Sequence, residues 1–156
     1  MRPENPVFTS SVYYRDPVAA LDWLQRVFGF DVTMAIEGPP DAPQMCHYEL
    51  SCAGRGRVMI GAEWSAPYRS PASVDGTNTQ SVHVELSGGL DEHCERARAA
   101  SAVIVMEPQD QFYGARTYAA VDLEGHRWTF SVQLREVTRA EAAAALGQPI
   151  FAPDWR

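Results

Sequence analysis

A chain of 156 residues, 46% apolar and 21% charged, carries enough hydrophobic material for one compact unit or two very small fused modules, which excludes a disordered chain. A formal net charge of -7 argues against a general nucleic-acid or anionic-membrane binder, because both partners call for a basic surface. No apolar run approaches bilayer length, and Cys46, Cys52 and Cys94 are odd in number and widely spaced, which excludes a transmembrane helix and argues against a secreted disulfide scaffold.

The N-terminus, Met1-Arg2-Pro3-Glu4-Asn5-Pro6, has no apolar stretch to serve as a leader. A cytoplasmic protein with reduced thiols is therefore expected, with Cys46 and Cys94 packing as small hydrophobes. Residues 8–14 suit a strand. Asp16-Pro17 reads as a helix start, cap then first turn, and Gly29 as its stop. Val18, Leu21, Leu24, Gln25 and Phe28 fall on one face of that helix, and Trp23 lies at its flank or in a subunit contact.

Three more strands follow, at residues 30–37, 44–52 and 57–63, with Gly38-Pro39-Pro40 and Ala53-Gly54-Arg55-Gly56 turning between them. Residues 65–79 are polar and contain Pro, the composition of a linker. The order then repeats: a strand at 80–86, a helix at 90–100 with Leu90, Cys94, Ala97 and Ser101 inside, and strands at 103–106, 116–121 and 127–133. An Ala-rich helix at 139–146 precedes the tail. The expected fold is α+β: one compact domain of two βαβββ modules, 1–64 and 80–137, forming a curved mixed sheet around a cleft, with 138–156 as C-terminal helix and tail.

Alternation assigns two faces to the strands that open and close the modules. Phe8, Val12 and Tyr14, then Val82, Val84 and Leu86, then Trp128, Phe130 and Val132, need burial under the helices. The opposite faces carry Thr9, Ser11 and Tyr13; Ser81, His83 and Glu85; and Thr129, Ser131 and Gln133. Such a face either meets water, as one side of an antiparallel sheet does, or lines a shared ligand cleft with hydroxyls, a histidine and aromatic rings.

This order of elements resembles the vicinal-oxygen-chelate superfamily, the glyoxalase/bleomycin-resistance type. The matching runs are Val12-Tyr13-Tyr14-Arg15-Asp16-Pro17-Val18-Ala19-Ala20-Leu21 with Phe28-Gly29-Phe30; Ser81-Val82-His83-Val84-Glu85-Leu86; and Asp122-Leu123-Glu124-Gly125-His126-Arg127-Trp128-Thr129-Phe130. Metal-using members take His, Glu or Gln ligands from the first and last strands of each module. The resemblance places those positions at Thr9, Met59 or Ile60, His83 and Thr129. His83 alone among them is a competent ligand, because protonated hydroxyls bind divalent ions poorly. No family-type metal is expected.

His83 and Glu85, two apart on one strand face, form a candidate acid/base pair, and His47 and Glu49 repeat the spacing. A metal site outside the family pattern, built from these four, requires that they meet in space. Arg116 and Tyr118 are placed near the cleft mouth, where they either meet an anionic or aromatic ligand or pack that edge. Trp64 is a candidate rim aromatic, His93 is assigned to the solvated side of its helix, and His126 to an exposed turn. The ligand-binding set is thus Thr9, Ser11, Tyr13, His47, Met59, His83, Glu85, Arg116, Tyr118, Thr129 and Ser131.

Two readings follow from the resemblance. One is a metal-independent binder of a small organic molecule, similar to the antibiotic-sequestering members. The other is a lyase, isomerase or dioxygenase using altered metal ligation, or His83 as a base. The resemblance further implies a homodimer, with Trp23, the C-terminal helix and Trp155 as contact elements, and no nucleic-acid or membrane partner.

Overall fold

The computed structural model describes residues 8–155. The first module runs β1 (Ser10–Tyr14), α1 (Pro17–Phe28), β2 (Asp31–Ile36), β3 (His47–Cys52) and β4 (Arg55–Ala62). The second runs β5 (Ser81–Glu85), α2 (Leu90–Ala99), β6 (Val103–Asp110), β7 (Ala115–Val121) and β8 (Arg127–Gln133), and α3 (Arg139–Leu146) follows. Each module folds its strands into a mixed four-stranded sheet, ordered β1-β4-β3-β2 and β5-β8-β7-β6. The opening strand pairs in parallel with the closing one in both, Ser11 with Met59 and His83 with Thr129. This is the α+β architecture expected from the repeated element order.

Local chemistry explains α1. The Asp16 carboxylate accepts from the Ala19 N–H at 3.0 Å, Pro17 sits in the first turn where its missing N–H costs nothing, and Gly29 ends the helix in the left-handed conformation. Its buried side is Ala20, Leu21, Leu24, Val27 and Phe28. Val18 and Gln25, expected on that side, are exposed. The apolar stripe is rotated toward Val27 because the helix covers its own sheet and also meets α2.

The helix-facing sides of both sheets join in one core, in which Val12, Tyr14, Leu50 and Ile60 belong to the same cluster as Tyr118, Trp128 and Phe130. Phe28 anchors the junction, 4.8 Å from the Phe130 ring and 5.9 Å from Trp128, centre to centre. Aromatic rings at such separations contribute both buried area and favourable edge-to-face geometry. Because each sheet gives its apolar face to this common core, each turns its polar face away from it.

Two histidine assignments are corrected here. His93 is buried rather than solvated: its Nε2 donates to the Phe28 carbonyl at 3.0 Å, so its Nδ1 accepts from the Tyr118 hydroxyl at 2.6 Å. Ser101, expected inside α2, is instead exposed in the turn after the helix. His126, expected in an exposed turn, is also buried, and its Nε2 donates to the Tyr13 carbonyl at 2.7 Å. Cys94 is fully buried and Cys46 packs partly against the core, as small hydrophobes do; all three thiols are free.

The modules are also joined through polar groups. The turn between β7 and β8 docks on the start of α1, where the buried Glu124 carboxylate accepts from the Arg15 and Asp16 N–H groups at 2.8 and 3.0 Å and from the Ser70 hydroxyl at 2.5 Å. Beside it Asp122 accepts from the Tyr14 hydroxyl at 2.6 Å and from the Trp128 indole at 3.0 Å.

Candidate ligand-binding site

The polar face of the first sheet is a connected charged row. Along β3 and β4, odd-numbered positions leave the core, so His47 and Glu49 stand on the same side as Arg57 and Met59. His47 Nε2 lies 3.4 Å from Glu49, and Arg57 lies 3.5 Å from the other Glu49 oxygen. Arg57 also donates to the Thr9 hydroxyl at 3.5 Å. Ile60 is fully buried in the core, which settles the register of β4: Met59 is the residue presented on the polar face, opposite Ser11.

On the second sheet, Ser81, His83 and Glu85 are exposed while Val82 and Val84 pack toward the core, so His83 keeps the face assigned to it. Thr129 pairs with His83 across the parallel ladder, and Ser131 pairs with Thr117. The buried Thr117 accepts from Gln111 at 2.7 Å. The two polar faces thus collect Thr9, Ser11, Tyr13, His47 and Met59 on one sheet, and His83, Glu85, Thr129 and Ser131 on the other.

Arg116 and Tyr118 do not belong to this set. Tyr118 is fully buried, stacked on Phe130 at 5.0 Å, and burial raises its hydroxyl well above the usual tyrosine range. Arg116 reaches Asp91 at the start of α2 at 3.1 Å and Asp110 at 2.7 Å. The residues β7 does present on its polar face are Thr117 and Ala119, partners of Ser131 and Thr129. Two-residue alternation carries that information, but Arg116 makes the helix side of the strand look like the polar one.

A cleft of about 210 Å³ opens where the β3–β4 hairpin meets β5. Phe30, Leu50, Val58, Val84 and Trp128 make its apolar floor, and Ser51, Arg55, Arg57, His83 and Glu85 its polar margin. His83 and Glu85 are the predicted site residues that reach it. Sequence reasoning missed Arg57 and Ser51, although Arg57 falls two residues before Met59 and so on the same face.

A divalent metal does not fit the family positions as they stand. They offer two hydroxyls, a thioether and one imidazole, and a permanent guanidinium cation lies 3.5 Å from the Thr9 oxygen. Nor do His47, Glu49, His83 and Glu85 converge: among the described residues no three His, Cys, Asp or Glu side chains come together as a cation site.

A family model, that of the Glyoxalase/Bleomycin resistance protein/Dioxygenase superfamily, matches residues 7–130. The chain belongs to this superfamily. Among solved structures, TioX from Micromonospora sp. ML1 is similar at 33% identity and TM-score 0.62, over 81% of this chain and 97% of that one. A superfamily member from Sphaerobacter thermophilus DSM 20745 is similar at 19% identity and TM-score 0.64, over 81% and 96%. The fosfomycin resistance protein FosX from Listeria monocytogenes is similar at 14% identity and TM-score 0.59, over 88% and 98%. The last two speak for the superfamily fold alone. Comparison with curated proteins gives no match. No helix among the described residues is long and apolar enough to cross a membrane.

Proposed function

We propose that this superfamily member is a homodimeric cytoplasmic protein that binds a small organic molecule without a family-type metal. The observation that carries the reading is the donor set: Thr9, Met59, His83 and Thr129 at the ligand positions, with Arg57 held against Thr9. What remains on these faces suits recognition of a planar or polar organic ligand. Hydroxyls come from Ser11, Thr129 and Ser131, an aromatic ring from Tyr13, and charge from Arg57, Glu49 and Glu85. The description of the matching family includes bleomycin resistance proteins.

Dimerisation is supported by the outward turn of each polar face, since a second copy would offer a facing sheet; a monomeric mass in solution refutes that part. Trp23 and Trp155 are weaker contact elements than their size suggests. Trp23 packs edge-on against Phe28 at 4.9 Å, and the Trp155 indole donates to the Val137 carbonyl at 2.7 Å.

The enzymatic reading rests on His83 and Glu85 at the margin of the cleft, where either could exchange a proton with a bound molecule. A thermal-shift screen of metal-stripped protein against antibiotics, catechols and glutathione adducts separates the two. A ligand at about a hundredfold its Kd adds about 2.7 kcal/mol, raising Tm by about 5–10 °C in a chain of this size. Stabilisation that returns only after Ni, Zn, Fe or Mn is restored contradicts the metal-free reading.

A further inference from the structure

The two modules correspond strand by strand, but the side chains of their closing turns differ. Tyr48 with Ile60 and Leu50 with Val58 pair as Tyr118 with Phe130 and Ala120 with Trp128 do, and Val12 faces Ile60 as Val84 faces Phe130. Counted from those pairs, Ser11 and Tyr13 of β1 correspond to His83 and Glu85 of β5. Asp122, Glu124 and His126 of the β7–β8 turn correspond to Cys52, Gly54 and Gly56 at the β3–β4 turn.

The correspondence sets a filled place against an open one. β1 is an edge strand, and carbonyls on its free edge are capped: Ser11 accepts from the Gln80 amide at 2.7 Å, and Tyr13 from Nε2 of His126 at 2.7 Å. Beside β5 the position of His126 is taken by Gly56, where an added Cβ would meet no heavy atom within 4 Å. The space that an imidazole fills in one module thus lies open in the other, within the cleft of about 210 Å³ that Gly56, His83 and Glu85 line.

β5 is itself an edge strand. The Leu86 N–H donates to the Ser131 carbonyl at 2.8 Å, so by alternation Val82 and Val84 turn their backbone groups to β8, and His83 and Glu85 turn theirs to the free edge. Among the described residues no strand or side chain pairs with them there. Unpaired edge groups of this kind are ready partners for a ligand. The cleft floor includes Phe30, Val58 and Trp128, and its margin sets two guanidiniums, Arg55 and Arg57, against the Glu85 carboxylate. A local excess of positive charge in a chain of net charge -7 favours an anionic ligand.

We propose that this cleft takes a planar N–H heteroaromatic carboxylate, whose ring occupies the space that His126 fills in the other module. Its N–H donates to the His83 carbonyl, its carboxylate accepts from the Glu85 N–H, and Arg55 balances its charge. A carboxylate on the ring carbon next to the N–H has the right spacing. A strand residue that pairs in parallel with an edge offers its own N–H and C=O in the same N–C–C–O order. The inference rests on the reading of this chain as a binder of a small organic molecule, and gives that molecule a class and a place.

The test uses the full-length, 15N-labelled chain titrated with indole-2-carboxylate and, separately, with benzofuran-2-carboxylate, which has the same outline and no N–H. Saturable indole-2-carboxylate shifts are expected at the amides of residues 51–58 and 82–85, the Glu85 amide moving downfield, with benzofuran-2-carboxylate bound about tenfold more weakly. Arg55→Gln, exposed at the start of β4, should weaken the carboxylate by about three- to tenfold and leave neutral indole-2-carboxamide unchanged. Gly56→Asn, a residue that tolerates the left-handed φ of 65°, puts a side chain into the cleft and should weaken both acids. Equal affinity for the two acids overturns the proposal, as does an absence of saturable shifts. Shifts confined to residues 9–13 and 129–131 overturn it while leaving the binder reading intact. Failure of that reading shows instead as no stabilisation by any compound in the thermal-shift screen.

Discussion

His93 links the two modules through a single imidazole. Its proton goes to a carbonyl of the first module and its lone pair to a tyrosine of the second, an arrangement that only the neutral ring can make. Burial lowers its pKa below the ordinary 6.5, outweighing the opposing effect of the Phe28 carbonyl, and the Arg96 charge acts in the same direction as burial. The unfolded chain therefore takes up a proton at this residue before the folded one does. Stability is full above the ordinary histidine value and falls as pH drops below it toward the depressed folded value. Urea unfolding between pH 7 and pH 5 should show this slope, and His93→Gln should flatten it at a cost to stability. An unchanged slope in the variant means that His93 is not the responsible group. The sequence of α2, Leu-Asp-Glu-His-Cys-Glu-Arg-Ala-Arg-Ala, conceals this role. A short helix with so many charges looks solvated on three sides, and nothing in the chain announces that α1 will lie across the histidine.

Among the elements, the turn joining β7 to β8 ties the second module to the start of α1 and to the linker. Glu124 supplies acceptors for two backbone N–H groups at the entry to α1 and for Ser70 of the linker, so three donors depend on one carboxylate. Glu124→Ala should destabilise the chain by about 2–4 kcal/mol, lowering Tm by about 5–15 °C. The same experiment on exposed Glu107, which pairs with Arg98 at the surface, should change stability by less than about 1 kcal/mol. Comparable losses in the two variants would mean that the turn is not a structural dock.

Element order was readable because alternation and caps are local signals: Asp16, Pro17 and Gly29 bound α1 as expected, and residues 127–133 and 139–146 match β8 and α3. Strand ends drifted where pairing with a neighbour sets them. β6, expected over residues 103–106, runs on to Asp110 because it follows β7 through two register shifts. Face assignment failed on β7 for a related reason. Arg116 is polar but reaches sideways to Asp91 and Asp110, so it occupies the helix side without entering the apolar core.

For the molecule as a whole, the decisive feature is how one core serves two sheets. Joining the apolar faces leaves the polar faces pointing outward, and each carries two of the four positions that the resemblance assigned to metal ligands, Thr9 and Met59 on one sheet and His83 and Thr129 on the other. The residue types at those positions were legible in the sequence. The guanidinium of Arg57 beside Thr9 was not, because it depends on the pairing of β1 with β4. Hydroxyls, a thioether and a fixed cation make a poor cage for a divalent ion, whatever the rest of the chain can bind. The measurement that bears most directly on this is elemental analysis of protein purified without chelator. Ni, Zn, Fe and Mn should each be far below one ion per chain and should fall further on dialysis. A single metal retained at one ion per chain through dialysis contradicts the account and assigns His83 to a catalytic centre instead.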